Sequence, residues 1–331
     1  MLTKTPVMDF MYYNFGHDEW HNSTRALKEH LWARNGAVRS RAPLSFGPSP
    51  SPRQDHYGRP IPADDSRFTT YSVRFRSSAT YLKTLFPTPE FSFSSPGTVA
   101  EASIRCTELS KMGWLGGGGY KYLGLWIHGV QYARKDGSKV HGSLLVVLLE
   151  SLADPIITGR EELGMPKLFC DIDIASKEGS TSIECSWRGA QFLRMHFDGL
   201  KEEVAGGKVE VEAEVPNGST PTGPPGPPKP VEEGTLFYRY VPAVGKPGEA
   251  DAAYPVLIRE GSGSSSVPRV VEKTSRSQES RLEFEEGDWQ SLPTLHHIAA
   301  GLAEIPVYGV VEAKVEEGRG VDDLANAERI E

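Results

Sequence analysis

Apolar and polar positions alternate in short runs through most of this chain, and the alternation predicts strands. Tyr71, Val73 and Phe75 are interleaved with Ser72 and Arg74, the two-residue period of a strand buried on one face. The same texture predicts strands at Thr98–Thr107, Leu123–Tyr132, Ile172–Ile174, Ser182–Trp187, Gln191–Phe197 and Leu236–Val241. Later runs at Arg269–Glu272, Arg281–Glu285 and Val307–Glu316 continue it. Ser143–Glu150 is continuously apolar from Leu144 to Leu149 and reads as a buried strand. Lys208–Val215 alternates strictly, as an edge strand does. Helical signals are few. Leu27 and Leu31 share a face within His17–Arg34, Ala79–Phe86 stops before Pro87, and Leu292–Leu302 is a third short helix.

The breaks in this pattern divide the chain. Residues 1–64 read as an extension, partly helical and then Pro/Ser-rich from Pro43 to Pro62. Residues 65–316 form the main domain, with flexible insertions near 216–230 and 261–266, and residues 317–331 read as an acidic tail. Many short strands and few helices predict a mainly β (α+β) fold, an antiparallel curled sheet or β-barrel with a few short helices. The segments do not alternate as βαβ units, which excludes a doubly wound nucleotide-binding fold.

Composition narrows the function classes. The 331 residues include 34 glycines and 25 prolines, so much of the chain is turn and loop. A formal charge of −8 argues against nucleic acid, which wants a basic face. Cys106, Cys170 and Cys185 have no paired spacing, as expected of free thiols in a reducing compartment. The N-terminus has no apolar signal core, and no window reaches the roughly 18 apolar residues of a membrane span. A cytoplasmic protein without membrane partners is the expectation.

Most chemical motifs dissolve on inspection. His17 and His21 stand four apart, but Asp18 occupies the place where a zinc-protease helix needs glutamate. The run WLGGGGYKY, Trp114–Tyr122, lacks the Gly-Lys-Ser/Thr ending of a phosphate loop and fits a tight bend near a neighbouring backbone. His296 and His297 point about 100° apart on a helix and cannot share a metal. No metal and no organic cofactor is expected. Lys167, within ITGREELGMPKLFCDID, is different. It is either a surface lysine whose stem lies on apolar residues or a buried amine kept neutral for attack on a carbonyl.

The run GREELGMPK resembles the active-site segment of the acetoacetate decarboxylase family, where Gly-Arg-Glu leads into Pro-Lys. Gly159, Arg160, Glu161, Pro166 and Lys167 match it in order and spacing. Phe75–Pro89, the WLGGGGY turn of the family's larger, fungal-type members, Leu236–Val241 and Leu292–Val315 are similar in order, so the resemblance spans about residues 65–316. It implies the family's β fold and a Schiff-base lyase in which Lys167 attacks a keto acid or ketone. It also implies assembly as a homo-oligomer. Decarboxylation of a β-keto acid is the leading expectation, with a polyketide-like secondary metabolite as a candidate substrate. A Schiff-base aldolase or dehydratase, or a non-catalytic binding protein on the same fold, is the alternative.

The resemblance implies acid/base candidates at Glu108, within one residue at Thr107–Glu108, and at Tyr122, where the family's second glutamate is replaced. It implies substrate contacts at Arg67 (with Arg74 and Arg76 as alternatives), Arg160, Glu161, Met165 and Leu168. Leu168 stands where bacterial members carry a second lysine, whose charge helps keep the first one neutral. This chain must hold its amine neutral in another way.

Overall fold

The structure, a computed structural model, describes Arg41–Pro43, Gln54, Asp55, Arg59, Ile61 and residues 63–203, 232–259, 269–321 and 327–331. The chain divides into Met1–Pro62 and Ala63–Glu331. In the first unit Arg59 pairs with Asp55 at 2.7 Å. The second unit begins with β1 (Arg67–Ser78), α1 (Ala79–Lys83), β2 (Phe91–Phe93), β3 (Val99–Ser110), β4 (Tyr120–Ala133) and β5 (Lys139–Glu150). Helix α2 (Ala153–Thr158) then runs into a π-helical turn, Gly159–Leu163. There follow β6 (Lys167–Phe169), β7 (Asp171–Lys177), β8 (Ser180–Trp187), β9 (Ala190–Asp198) and β10 (Lys201–Glu202). The last elements are β11 (Gly234–Pro242), β12 (Ala250–Arg259), β13 (Val270–Arg276), β14 (Glu279–Phe284), α3 (His296–Ala303), β15 (Gly309–Arg319) and β16 (Ala327–Arg329).

Two sheets result. The large one runs β10-β13-β15-β1-β3-β4-β5-β11-β12-β16, with β2 on β4 and β6 on β5; the small one runs β14-β9-β8-β7. The expectation of a mainly β fold with few helices holds. The barrel alternative does not, because the path of the large sheet ends at β10 and β16 without closing. Nor is the large sheet wholly antiparallel: β6 and β11 both run parallel to β5. A parallel neighbour needs a crossover, and α2 with its π turn supplies the one between β5 and β6.

Strand pairing sorts the side chains onto two faces. Tyr71, Cys106, Leu123, Leu149 and Leu168 form one row across β1, β3, β4, β5 and β6. This face packs on the small sheet through Ile183, Cys185, Met195 and Phe197 and makes the main core. The neighbouring rows point the other way. One is Thr70, Thr107, Tyr122 and Glu150; the next is Ser72, Arg105, Gly124, Leu148 and Lys167. Period-2 alternation thus places the lysine on the face away from the main core.

The alternating strands lie where the sequence predicts them, several longer by a few residues. Five strands carry no such signal. Phe91–Phe93, Lys167–Phe169, Lys201–Glu202 and Ala327–Arg329 are too short to show a period. Ala250–Arg259 contains Pro255, which reads as a strand breaker but sits in β12, where the short β16 pairs only with Val256 to Ile258. Part of the stretch read as an acidic tail joins the sheet as the end of β15 and as β16. The helix expected at His17–Arg34, the strand at Lys208–Val215 and the insertions at 216–230 and 261–266 lie outside the described residues. Among the described residues no helix is long and apolar enough to cross a membrane, and no cluster of metal-ligating side chains occurs.

Candidate active site

Lys167 is delivered by the turn that precedes it. The π turn ends at Gly164, in the left-handed region at φ 78°, and the amide of Met165 closes back on the carbonyl of Gly159 at 3.0 Å. A Cβ on Gly159 would collide with Cδ, Cε and Nζ of Lys167. Glycine is therefore required there, because the lysine side chain lies directly against its backbone. Arg160 turns back to donate from Nη1 to the Lys167 carbonyl at 2.9 Å. The Leu148 amide donates to the Pro166 carbonyl, which sets the parallel register of β6 on β5.

The amine meets a carboxylate. Lys167 Nζ lies 2.8 Å from Oε1 of Glu150 and donates to the Pro155 carbonyl at 3.1 Å. Both side chains are sealed, Lys167 at 5% exposure and Glu150 at 1%. Glu150 Oε2 is buried and has no partner among the described residues. Burial pushes the Glu150 carboxyl above its ordinary range, and the neighbouring Lys167 pulls it part of the way back. A buried ion pair with one oxygen unsatisfied is poorly compensated.

The surroundings are aromatic and apolar. Gly124 has no Cβ, and the Trp126 indole and Leu148 occupy the space one would fill. The Arg105 guanidinium stacks on Trp126 at 5.1 Å, which brings a cation into the lysine's row with the indole beside it. Leu145, Leu148, Phe237, Val256 and Ile258 complete this cluster, and Met165 and Tyr122 pack against it. On the other side stand Tyr122 and Tyr120, their rings 6.3 Å apart, and Trp114, 6.2 Å from Tyr120. Burial first, and then the charge of Glu150, raises the Tyr120 hydroxyl well above its ordinary pKa.

The residues expected at the site divide accordingly. Lys167, Tyr122 and Met165 lie together on this face, and Arg160 supports the lysine's backbone while its own side chain is exposed. Glu161 is exposed, and its carbonyl accepts from Arg239 at 2.9 Å. Glu108 does not join the site. It pairs with Thr69 and Lys121 on the opposite face, and its neighbour Thr107 takes the position opposite Tyr122. Leu168 also faces away and packs against the main core, as adjacent residues in a strand must diverge. Arg67 belongs to the opposite face too and donates to the Ser66 carbonyl at 3.2 Å. Of its alternatives, Arg74 is paired with Glu101 at 2.7 Å and Arg76 is exposed.

Glu150 is the residue that the sequence reading missed. A carboxylate that ends a continuously apolar strand is a usable signal, since such a strand is buried on both faces and its last acid needs a cation. Glu150 stands directly across the strand pair from Tyr122.

The chain matches the family model described as acetoacetate decarboxylase (ADC) over residues 42–320. No curated protein matches it. Among solved structures, acetoacetate decarboxylase from Legionella pneumophila is similar at 13% identity and TM-score 0.53, covering 88% of this chain and 98% of that one. A second acetoacetate decarboxylase is similar at 12% identity and TM-score 0.51, covering 84% and 94%. The enduracididine biosynthesis enzyme MppR complexed with pyruvate is similar at 13% identity and TM-score 0.52, covering 90% and 99%. These likenesses are of fold.

Proposed function

The chain belongs to the acetoacetate decarboxylase family, and on that premise we propose that it is a Schiff-base lyase whose amine is Lys167. The observation that carries this reading is the sealed contact between Nζ and Glu150 at 2.8 Å. Glu150 takes a proton from the ammonium, and the neutral amine attacks the ketone carbon to give a carbinolamine. Glu150 returns the proton to the departing oxygen, water leaves, and an iminium remains. In a β-keto acid the electrons of the bond to the carboxylate flow into the iminium, CO2 departs, and an enamine forms. Tyr122, or Glu150 once it has taken up a proton from solvent, delivers a proton to the enamine carbon, and water then releases the ketone product. Glu150, in contact with Nζ, is the acceptor for the amine's proton on this reading, and no second lysine is invoked.

A second reading keeps the imine and changes its fate: the enamine attacks an aldehyde, or the adduct loses water. The tyrosine standing where the family's second acid is expected favours it, as does the pyruvate in the similar MppR structure. Borohydride reduction in the presence of a keto acid, followed by peptide mass spectrometry, tests the shared step. CO2 release separates the two readings. A non-catalytic protein on this fold gives no adduct at Lys167.

A further inference from the structure

We infer that the amine acts on an extended ketone with an aromatic body whose far end carries a hydrogen-bond acceptor, and that the indole N–H of Trp114 selects it. This inference rests on the Schiff-base reading above. Among the buried polar atoms that have no partner among the described residues are Oε2 of Glu150 and Nε1 of Trp114. Buried tryptophan N–H groups ordinarily find an acceptor, and an orphaned one points to a group supplied from outside the chain.

The two orphans stand at opposite ends of one aromatic wall. Trp114 meets Tyr120 edge-on at 6.2 Å, Tyr120 lies 6.3 Å from Tyr122, and Tyr122 pairs across the strands with Glu150. A ketone carbon held at Lys167 therefore has two ring-to-ring steps to cross before it reaches the indole. A four-carbon keto acid is too short to reach it. A planar, aromatic substrate spans that distance and stacks along the wall as it does so.

The glycine run explains how Trp114 comes to be there. Gly116 and Gly117 take φ 63° and 88°, and a Cβ on Gly119 would collide with the backbone of Leu109 and Ser110. The amides of Met112, Gly117 and Gly118 are already bonded to carbonyls within the turn. The glycines thus fold the β3–β4 connection tightly back on itself and seat the indole against Tyr120.

The test uses the full chain with acetoacetate, 3-oxo-3-phenylpropanoate and its three ring-methoxylated isomers, whose ether oxygen is an acceptor only. One methoxy isomer is expected to exceed the phenyl compound in kcat/KM by about tenfold or more, and both aryl compounds to exceed acetoacetate. In Trp114→Phe, which keeps an aromatic ring and removes the N–H, the methoxy-to-phenyl ratio falls to about one. This ratio is read within one preparation, so partial loss of folded protein does not alter it. The inference is overturned if no isomer exceeds the phenyl compound, if acetoacetate is the best substrate, or if the preference survives Trp114→Phe. Borohydride trapping is run alongside. An adduct on Lys167 without the aryl preference overturns this inference alone, and no adduct with any ketone overturns the Schiff-base reading and this inference with it.

Discussion

Lys167 Nζ and Glu150 Oε1 lie 2.8 Å apart, on parallel neighbouring strands, in surroundings that exclude solvent from both. On the proposed reading the contact gives the amine a place to leave its proton without crossing water and ties the acid to the nucleophile, so that substitutions at either residue, or at the groups that aim them, should be felt in the chemistry before they are felt in the fold.

Glu150→Gln keeps the shape of the side chain and a hydrogen-bonding oxygen but removes the proton acceptor. Turnover is expected to fall by about 10² to 10⁴, the usual worth of a positioned acid/base. Imine formation measured by single-turnover trapping should slow by a similar factor, while the unfolding midpoint stays close to that of the parent. Unchanged trapping kinetics would remove Glu150 from the mechanism.

Gly159→Ala places a methyl where the lysine stem now lies. Overpacking of this kind costs about 1–3 kcal/mol, and the lysine must shift to relieve it. The trapped adduct should fall at least tenfold in rate, with a modest drop in Tm. Gly301→Ala serves as a control, since a Cβ there meets nothing within 4 Å.

Leu168→Lys restores the second lysine of the bacterial pattern. It is not expected to improve the enzyme, because this side chain packs against the main core and not beside Lys167. An ammonium placed there without a partner should destabilise the fold by about 2–4 kcal/mol, seen as a lower midpoint in denaturant. An unchanged midpoint with faster turnover would contradict the assignment of faces.

The legible part of the fold and site is the part whose signals are local. Alternation at Tyr71–Phe75 and the apolar run at Leu144–Leu149 are of this kind, and the strands they predict are there. The Pro-Lys of the motif identifies the lysine because the spacing is carried by the chain itself. Glu108 shows the limit. A shift of one residue in register moves a side chain to the other face of a sheet, and sequence similarity at that position has one residue of latitude. Glu150 meets the lysine across the β5–β6 pair, and Trp126 fills the space left at Gly124 in the lysine's row; neither has a local signature. The open sheet is likewise a matter of which strands end as edges.

Away from the lysine, a buried polar chain predicts acid sensitivity. His128 bridges Ser103 at 2.5 Å and Ser143 at 2.8 Å, and Ser143 donates to Glu232 at 2.6 Å. Burial alone would raise the Glu232 carboxyl, but the nearby His128, 3.9 Å away, and hydrogen bonds from Ser143 and the Gly129 amide outweigh it and hold it at about 2, against 4.5 ordinarily. A depressed carboxyl stabilises the fold above its unfolded pKa, and that contribution is lost as pH falls from about 4.5 to about 2. Discounted for the partial exposure of Glu232, it is worth about 1–2 kcal/mol. Glu232→Gln should flatten the decline in stability over this window, as measured by denaturant unfolding at pH 6 and pH 3. An identical decline in the variant would assign the acid sensitivity elsewhere.

The most direct measurement is borohydride reduction of the full chain with a β-keto acid, read by peptide mass spectrometry. The account predicts a reduced adduct on the peptide carrying Lys167, abolished in Lys167→Ala while the fold is retained. An adduct confined to other lysines, or none at all across small and aryl keto acids, would contradict it.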